Sequence, residues 1–392
     1  MNVMRSTLCT FMLALMAITT SVSAKTATLL DLRLDKDGEV PFLLLNDAGE
    51  YSEKGLALKP SGKLVRLDKY YALAERKVCY KVTPSADAVL RFRSSEGDFT
   101  AEVDVPAGKI RIKTNPVMEE EASFIKGGSP MTVEISHIYN KAVVTVRQGR
   151  RSATLTAVND GKGGYKAGAL QEGFSVGMQW DRYCFGLASG SSALVSRIKV
   201  LALKKKVRLL IYGDSITQPE GYFPAARFPE AWTQRIIAHL GGNAMSSGRG
   251  GGRINDVLEY IKNELPYIKT EYVMVTIGTN GGNTEENLSE LVEYIQSQGC
   301  KVILNNIPCN ESGTQVPNNE LISKVREKYG IKGCMFDLAT SLAGDGKEVD
   351  KEQMFFEDLW EEYKWLVYHH PNWIGGQNMF ERTLVDIPEI YR

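Results

Sequence analysis

The chain has 392 residues, 43% of them hydrophobic and 24% charged, with 47 Lys plus Arg set against 47 Asp plus Glu. Such proportions describe a folded, water-soluble protein without long disorder, and the length suits two domains better than one core. A balanced charge gathers no polyanion, so nucleic-acid binding is not expected, and the basic run at 203–208 reads as a solvated linker.

The first 24 residues carry Arg5, an apolar run too short for a membrane span, and small residues at Val22-Ser23-Ala24. They read as a signal peptide removed after Ala24, which places the mature protein outside the cytoplasm, secreted or periplasmic. Cys9 precedes the apolar run, so lipid attachment at a cleavage cysteine is not expected, and no later stretch reads as a membrane span. Cys79, Cys184, Cys300, Cys309 and Cys334 then remain, an odd number at irregular spacing, which is no disulfide framework. Cys300 and Cys334, each just before an expected strand, are the candidates for a pair. There is no Cys-x-x-Cys and no His-x-x-x-His, so neither a metal nor another cofactor is expected.

From about 25 to 203 apolar residues mostly alternate. Val103 and Val105 alternate with Glu102 and Asp104, a Pro106-Ala107-Gly108 turn follows, and Ile110 and Ile112 alternate with Lys109, Arg111 and Lys113. This is a hairpin with one wet face. The pattern recurs at 131–139, 142–158 and 193–203 without any helical period, so 25–203 is expected to be an antiparallel β-sandwich domain.

Beyond about 207 the period changes. The runs at 208–212, 272–277, 301–306 and 334–339 are continuously apolar, as strands buried on both faces are. Ile254, Val257, Leu258, Ile261 and Leu265 have helical spacing, as do Leu288, Leu291, Val292 and Ile295, with Asn283 placed to cap and Glu286 to close a capping box. Alternating strands and helices make 207–392 an α/β domain, a parallel sheet with helices on both faces. Ligands of such sheets bind beyond the carboxyl ends of the strands, and Ser215 in "LLIYGDSITQ" stands at one.

A serine becomes a nucleophile only when a base takes its proton and fixed donors receive the oxyanion. Of four histidines, His137 has the parity of core residues Val133 and Ile135, and His239 ends a helical pattern. His369 and His370, before Pro371, remain as bases. Two strand ends offer donors: the glycine-rich 243–253 and the Gly278-Thr279-Asn280 stretch. At Ser215 the second glycine of Gly-x-Ser-x-Gly is replaced by Thr217, and Gly-x-Gly-x-x-Gly and Gly-x-x-x-x-Gly-Lys-Ser/Thr are absent.

Taken in order, Gly-Asp-Ser-Ile, a glycine-rich second strand end, Gly-x-Asn at the third and His-Pro near the C-terminus resemble the SGNH or GDSL hydrolase family over 207–392. The resemblance implies a flavodoxin-like parallel sheet and a carboxylic ester hydrolase that needs no cofactor. It implies Ser215 as nucleophile and donor through its own N–H, Gly248 as backbone donor with Gly251 as fallback, Asn280 as side-chain donor and His370 as base. Asp214 would brace the turn. Where the family carries Asp three residues before the histidine this chain has Val367, and Gly281 stands where the family often shows Asp. Loss of the histidine's carboxylate in a serine protease costs about four orders of magnitude. Asp358, Glu361 and Glu362 are the acids near enough in sequence to replace it, and a Ser-His dyad held by a backbone carbonyl is the other arrangement.

Members of the family act on lipids, thioesters or O-acetylated sugars. Export and an N-terminal sandwich of laminin G or concanavalin type, a candidate carbohydrate-binding domain, favour an O-acylated carbohydrate, with removal of acetyl or another small acyl group. Tyr222, Phe223, Phe228, Trp365 and Trp373 supply rings near Ser215 and His370 in sequence, for core packing or for stacking on sugar. The alternatives are a glycan-binding protein with a catalytically weakened hydrolase domain and a lipid or thioester hydrolase.

Overall fold

The computed structural model describes residues 26–94, 99–114, 117–158, 182–220, 223, 225–355 and 368–392. The signal-peptide expectation, Tyr222, Asp358, Glu361, Glu362, Trp365 and Val367 lie outside them. No helix among the described residues is long and apolar enough to cross a membrane.

Among the described residues up to Ala202 every regular element is a strand, in two antiparallel sheets. One has eight strands and runs in the order 151–158, 141–148, 131–138, 75–84, 193–202, 55–58, 49–52, with 27–33 also on 193–202. The other has seven, in the order 118–121, 109–112, 100–104, 89–94, 183–189, 65–67, 43–44. Alternation places one face of each strand inward: Val133, Ile135 and His137 are buried, opposite Tyr80, Val78 and Arg76. Rings of the two sheets meet, Tyr80 lying 4.8 Å from Phe92 and 5.1 Å from Phe185 between centroids. The hairpin read from Val103 and Ile110 forms in that register, its outer face covered by Arg111 on Asp104 and Glu119.

The second part is a four-stranded parallel sheet in the order Ala244–Gly248, Leu209–Gly213, Tyr272–Thr276, Lys301–Leu304. All but Lys301 of its strand residues are buried, which is why these runs show no alternation. Among the described residues six α-helices accompany it: α1 (Trp232–His239), α2 (Ile254–Glu264), α3 (Glu285–Ser297), α4 (Gln315–Tyr329), α5 (Phe336–Thr340) and α6 (Trp373–Asp386). α1 and α5 pack on α6, while α2 packs on α3 and α3 on α4, giving two helical groups. From the Leu209–Gly213 strand the chain forms one neighbour on each side, so the crevice where the order reverses opens at its carboxyl end.

Four expectations are corrected. The run 334–339 is no strand: Ile303 bridges Lys332 and Asn306 donates to the Cys334 carbonyl, after which the chain turns into α5. The α3 cap is Thr284, whose hydroxyl accepts the Asn287 N–H, while Asn283 donates to the Gly278 carbonyl and to Asn318. Cys300 and Cys334 are free thiols, as are Cys79, Cys184 and Cys309. Lys204 of the linker is no solvated lysine. Its Nζ donates to Glu75 at 2.7 Å, to the Gly242 carbonyl at 2.9 Å and to that of Ala244 at 3.3 Å, pinning the eight-stranded sheet to the parallel one.

The two parts are joined further along the edge strand. Leu73 forms an antiparallel bridge with Ser247, and Ala74 donates to the Ser246 carbonyl at 2.9 Å. Glu264, fully buried at the end of α2, accepts the N–H groups of Ala72 and Leu73 at 2.6 and 3.1 Å and the Ser247 hydroxyl at 2.8 Å. Burial pushes its carboxyl up to about 7 against those hydrogen bonds.

Candidate active site

Gly213, the last residue of its strand, is glycine for want of space: a Cβ would run into Thr217 and the Thr276 carbonyl. The chain then makes a tight turn in which Thr217 and Gln218 both donate to the Asp214 carbonyl at 3.1 Å. The Asp214 side chain accepts the Ile216 N–H at 3.0 Å, so it braces the turn on which Ser215 is presented. Burial raises the Asp214 carboxyl to about 7, opposed by the amides of Ile216 and Thr279. Trp232, the first residue of α1, ties the turn down from the other side by donating its indole N–H to the Ile216 carbonyl at 2.7 Å.

His370 arrives from the opposite end of the chain. Phe355 donates to its carbonyl at 2.9 Å, and Pro371 bridges Met354 in antiparallel fashion. Asn372 caps α6, accepting the N–H groups of Ile374 and Gly375 and donating to the Glu352 and Met354 carbonyls. Gly375 and Gly376 let that helix start close in, since a Cβ on them would meet the Gln353 and Glu230 carbonyls. The main chain that carries the imidazole is thus held at His370 and at the two residues that follow it.

Ser215 and His370, 155 positions apart in the sequence, line one cavity, together with Ile216, Pro219, Phe223 and Trp232. Its free volume is about 10 Å³, room for roughly one water. Both residues are 6% exposed. Burial pushes the His370 imidazole down to about 3, which keeps it neutral at ordinary pH and lowers its basicity. The His369 ring lies 3.7 Å from it between centroids.

The two remaining strand ends converge on the same turn. Arg249 donates to the Gly213 carbonyl at 3.1 Å, and because successive residues of a parallel ladder face opposite sides, Gly248 directs its N–H to the sheet edge, where Leu73 bridges Ser247. Gly248 itself lies against the serine turn, a Cβ there falling 2.8 Å from the Gln218 nitrogen. Gln218 accepts the Gly250 N–H at 2.7 Å, and Gly252 donates to the Arg249 carbonyl. Gly251, between them, has φ +71°, the left-handed region that favours glycine. Asn280 donates its side-chain amide to the Gly252 carbonyl at 3.1 Å, joining the third strand end to this loop.

Of the residues singled out in the sequence, Ser215, Asp214 and His370 are brought to one point, and Asn280 and Gly251 to the loop beside it. His137 is buried in its strand and His239 ends α1, 4.9 Å from the Tyr391 ring. Phe223 and Phe228 are buried in a ring cluster, and the Arg227 guanidinium lies 3.8 Å above Trp373. Sequence reasoning missed Trp232, Gln218, Glu264 and Asn372. A tryptophan and an asparagine at helix starts were the available signals for two of them. The buried Glu264 gave none.

No family model and no curated protein matches the chain. Among solved structures it is similar to LAE5, an alpha/beta hydrolase enzyme from the metagenome of Lake Arreo (21% identity, 46% of this chain and 94% of that one, TM-score 0.36). It is also similar to Axe2, an acetylxylan esterase from Geobacillus stearothermophilus (17%, 46% and 93%, TM-score 0.35), and to a GDSL-like lipase from Bacteroides thetaiotaomicron (15%, 45% and 84%, TM-score 0.34).

Proposed function

We propose that the protein is an exported serine esterase that removes acetyl or similar small acyl groups from carbohydrate. The observation that carries this reading is the shared cavity of Ser215 and His370, which brings a neutral imidazole and a buried serine to one place. His370 takes the Ser215 proton as the oxygen bonds to the ester carbonyl carbon. The imidazolium then protonates the departing sugar oxygen as its bond to that carbon breaks, leaving an acyl-serine, and a water activated by His370 cleaves it. Burial makes an isolated imidazolium costly, so it forms only as the adjacent oxyanion does, each charge offsetting the other.

For the oxyanion donors we assign the Ser215 N–H, the Asn280 amide and Gly251, in the role first given to Gly248, whose N–H faces the sheet edge. Asn280 would exchange its bond to Gly252 for the substrate oxygen. The two antiparallel sheets are read as a laminin G-like sandwich, and the parallel sheet as flavodoxin-like, carrying the chemistry of an SGNH hydrolase.

Purified protein offered O-acetylated oligosaccharides and a series of p-nitrophenyl esters tests the reading. Acetate release with a rate that falls as the acyl chain lengthens supports it; a rate that rises with chain length indicates a lipid or thioester hydrolase. Ester turnover equal to that of Ser215→Ala indicates a glycan-binding protein without catalysis.

A further inference from the structure

The Met131–Ile138 and Lys141–Gln148 strands pair with Ile138 opposite Lys141, so Tyr139 and Asn140 form a two-residue hairpin turn. Tyr139 has φ +50° in the first central position, a place that glycine ordinarily takes. The other described non-glycine residues with positive φ are Asn46 and Asp47. A bulky residue there is strained, and such strain persists only where the surroundings impose it.

Those surroundings come from both halves of the chain. The Tyr139 N–H donates to the Ala74 carbonyl at 2.7 Å, beside the segment that bridges the edge strand. Its hydroxyl is buried near Glu75 and the Ser246 amide. Its ring lies 6.5 Å from that of Phe228 at 59°, against the cluster of Phe223, Phe228 and Ala231. Phe223 and Ala231 line the cavity of Ser215 and His370. Phe223 also meets Phe355 edge-on at 5.2 Å, and Phe355 holds the His370 carbonyl. One ring from the first sheet thus supports the wall beside the serine and, through Phe228, Phe223 and Phe355, the segment that carries the histidine.

We infer that Tyr139 is a positioning residue that fixes this wall and so limits the size of the acyl group reaching Ser215, which makes the N-terminal sheets part of the active site. The inference rests on the acyl-transfer reading above. A residue serving only to fill the turn would be glycine or asparagine, at no conformational cost.

The test compares Tyr139→Gly, which relieves the backbone and removes the ring, with Tyr139→Phe, which keeps the ring. Tyr139→Asn, also at ease with positive φ, is the second variant should the glycine form fail to fold. In the ring-less variants kcat/KM for p-nitrophenyl acetate is expected to fall about tenfold as the wall shifts. The butyrate-to-acetate ratio is expected to rise at least about fivefold. Tyr139→Phe keeps the wild-type profile. Amide exchange at Phe223 and Ala231, whose N–H groups bond the Pro219 and Phe228 carbonyls, is expected to quicken about tenfold without the ring. A folded ring-less variant with an unchanged ratio overturns the inference. If the wild type turns over no ester the acyl-transfer reading fails instead, and exchange at Phe223 and Ala231 still reports on the wall: unchanged rates there overturn the role of Tyr139.

Discussion

The Glu264 carboxylate accepts the backbone N–H of Ala72 at 2.6 Å, across 192 positions of sequence. With Leu73 and Ser247 on the same carboxylate, three buried donors from both halves depend on one side chain. Glu264→Ala leaves all three unsatisfied, each costing about 1–3 kcal/mol. The expected loss in urea unfolding is at least about 3 kcal/mol. Glu264→Gln keeps an acceptor for the two amides, and its loss is expected to be under half as large. Equal losses would remove the acceptor role.

Stability is expected to decline from mildly acidic to mildly alkaline pH. Asp214, Glu220 and Glu264 are each raised to about 7 chiefly by burial. The folded state therefore holds their protons more tightly than the unfolded chain, where they leave near pH 4. Their contribution is fully present below about pH 4 and is lost as pH rises through 7. His370, lowered to about 3, acts in the opposite sense: its contribution stands above about pH 6.5 and is lost as pH falls through 3. Glu220→Gln removes one of the three acids, at a side chain whose Oε1 is buried without a hydrogen-bond partner. It is expected to raise Tm at pH 8 more than at pH 5, and an equal change at both would contradict the assignment.

The rate should resist acid. An imidazole titrating near 6.5 loses roughly thirtyfold of its basic form between pH 8 and pH 5. With His370 held near 3, kcat/KM for an acetyl ester at pH 5 is expected to stay within about twofold of its value at pH 7. A limb near pH 6.5 would show that the ring is more solvated than the fold makes it.

Trp232→Phe deletes the indole donor that holds the Ile216 carbonyl while filling most of the same space. The serine turn loses its tether from α1, and kcat is expected to fall about tenfold with KM little changed, since the reacting atoms shift rather than the other substrate contacts. A rise in KM at constant kcat would place Trp232 in substrate binding instead.

Strand type was legible because burial writes itself into the sequence: alternation at Val103–Ile112 for half-buried strands, continuous apolar runs at Leu209–Tyr212 for buried ones. The meeting of Ser215 and His370 was anticipated from a serine at the end of an apolar strand run and a histidine before a proline, which the structure brings to one cavity. The run at 334–339 misled because it is apolar through packing of Phe336 against Trp232, a contact that no local period records. Gly248 attracted the donor role through its spacing from Asn243, whereas its actual constraint is the backbone of the serine turn, reached only through tertiary approach. The junction was invisible for the same reason. Lys204 and Glu264 look like surface charges until their partners, 17 to 192 positions away, are known.

The reaction needs the alcohol of Ser215 and the ring of His370 at one spot, and kinetics of the variants reads that directly. With p-nitrophenyl acetate, Ser215→Ala and His370→Ala should each lose at least about three orders of magnitude in kcat, and the double variant should be no slower than either, as for groups that act as a unit. Losses that multiply in the double variant, or a His370→Ala enzyme as fast as the wild type, would show that the two side chains do not work together.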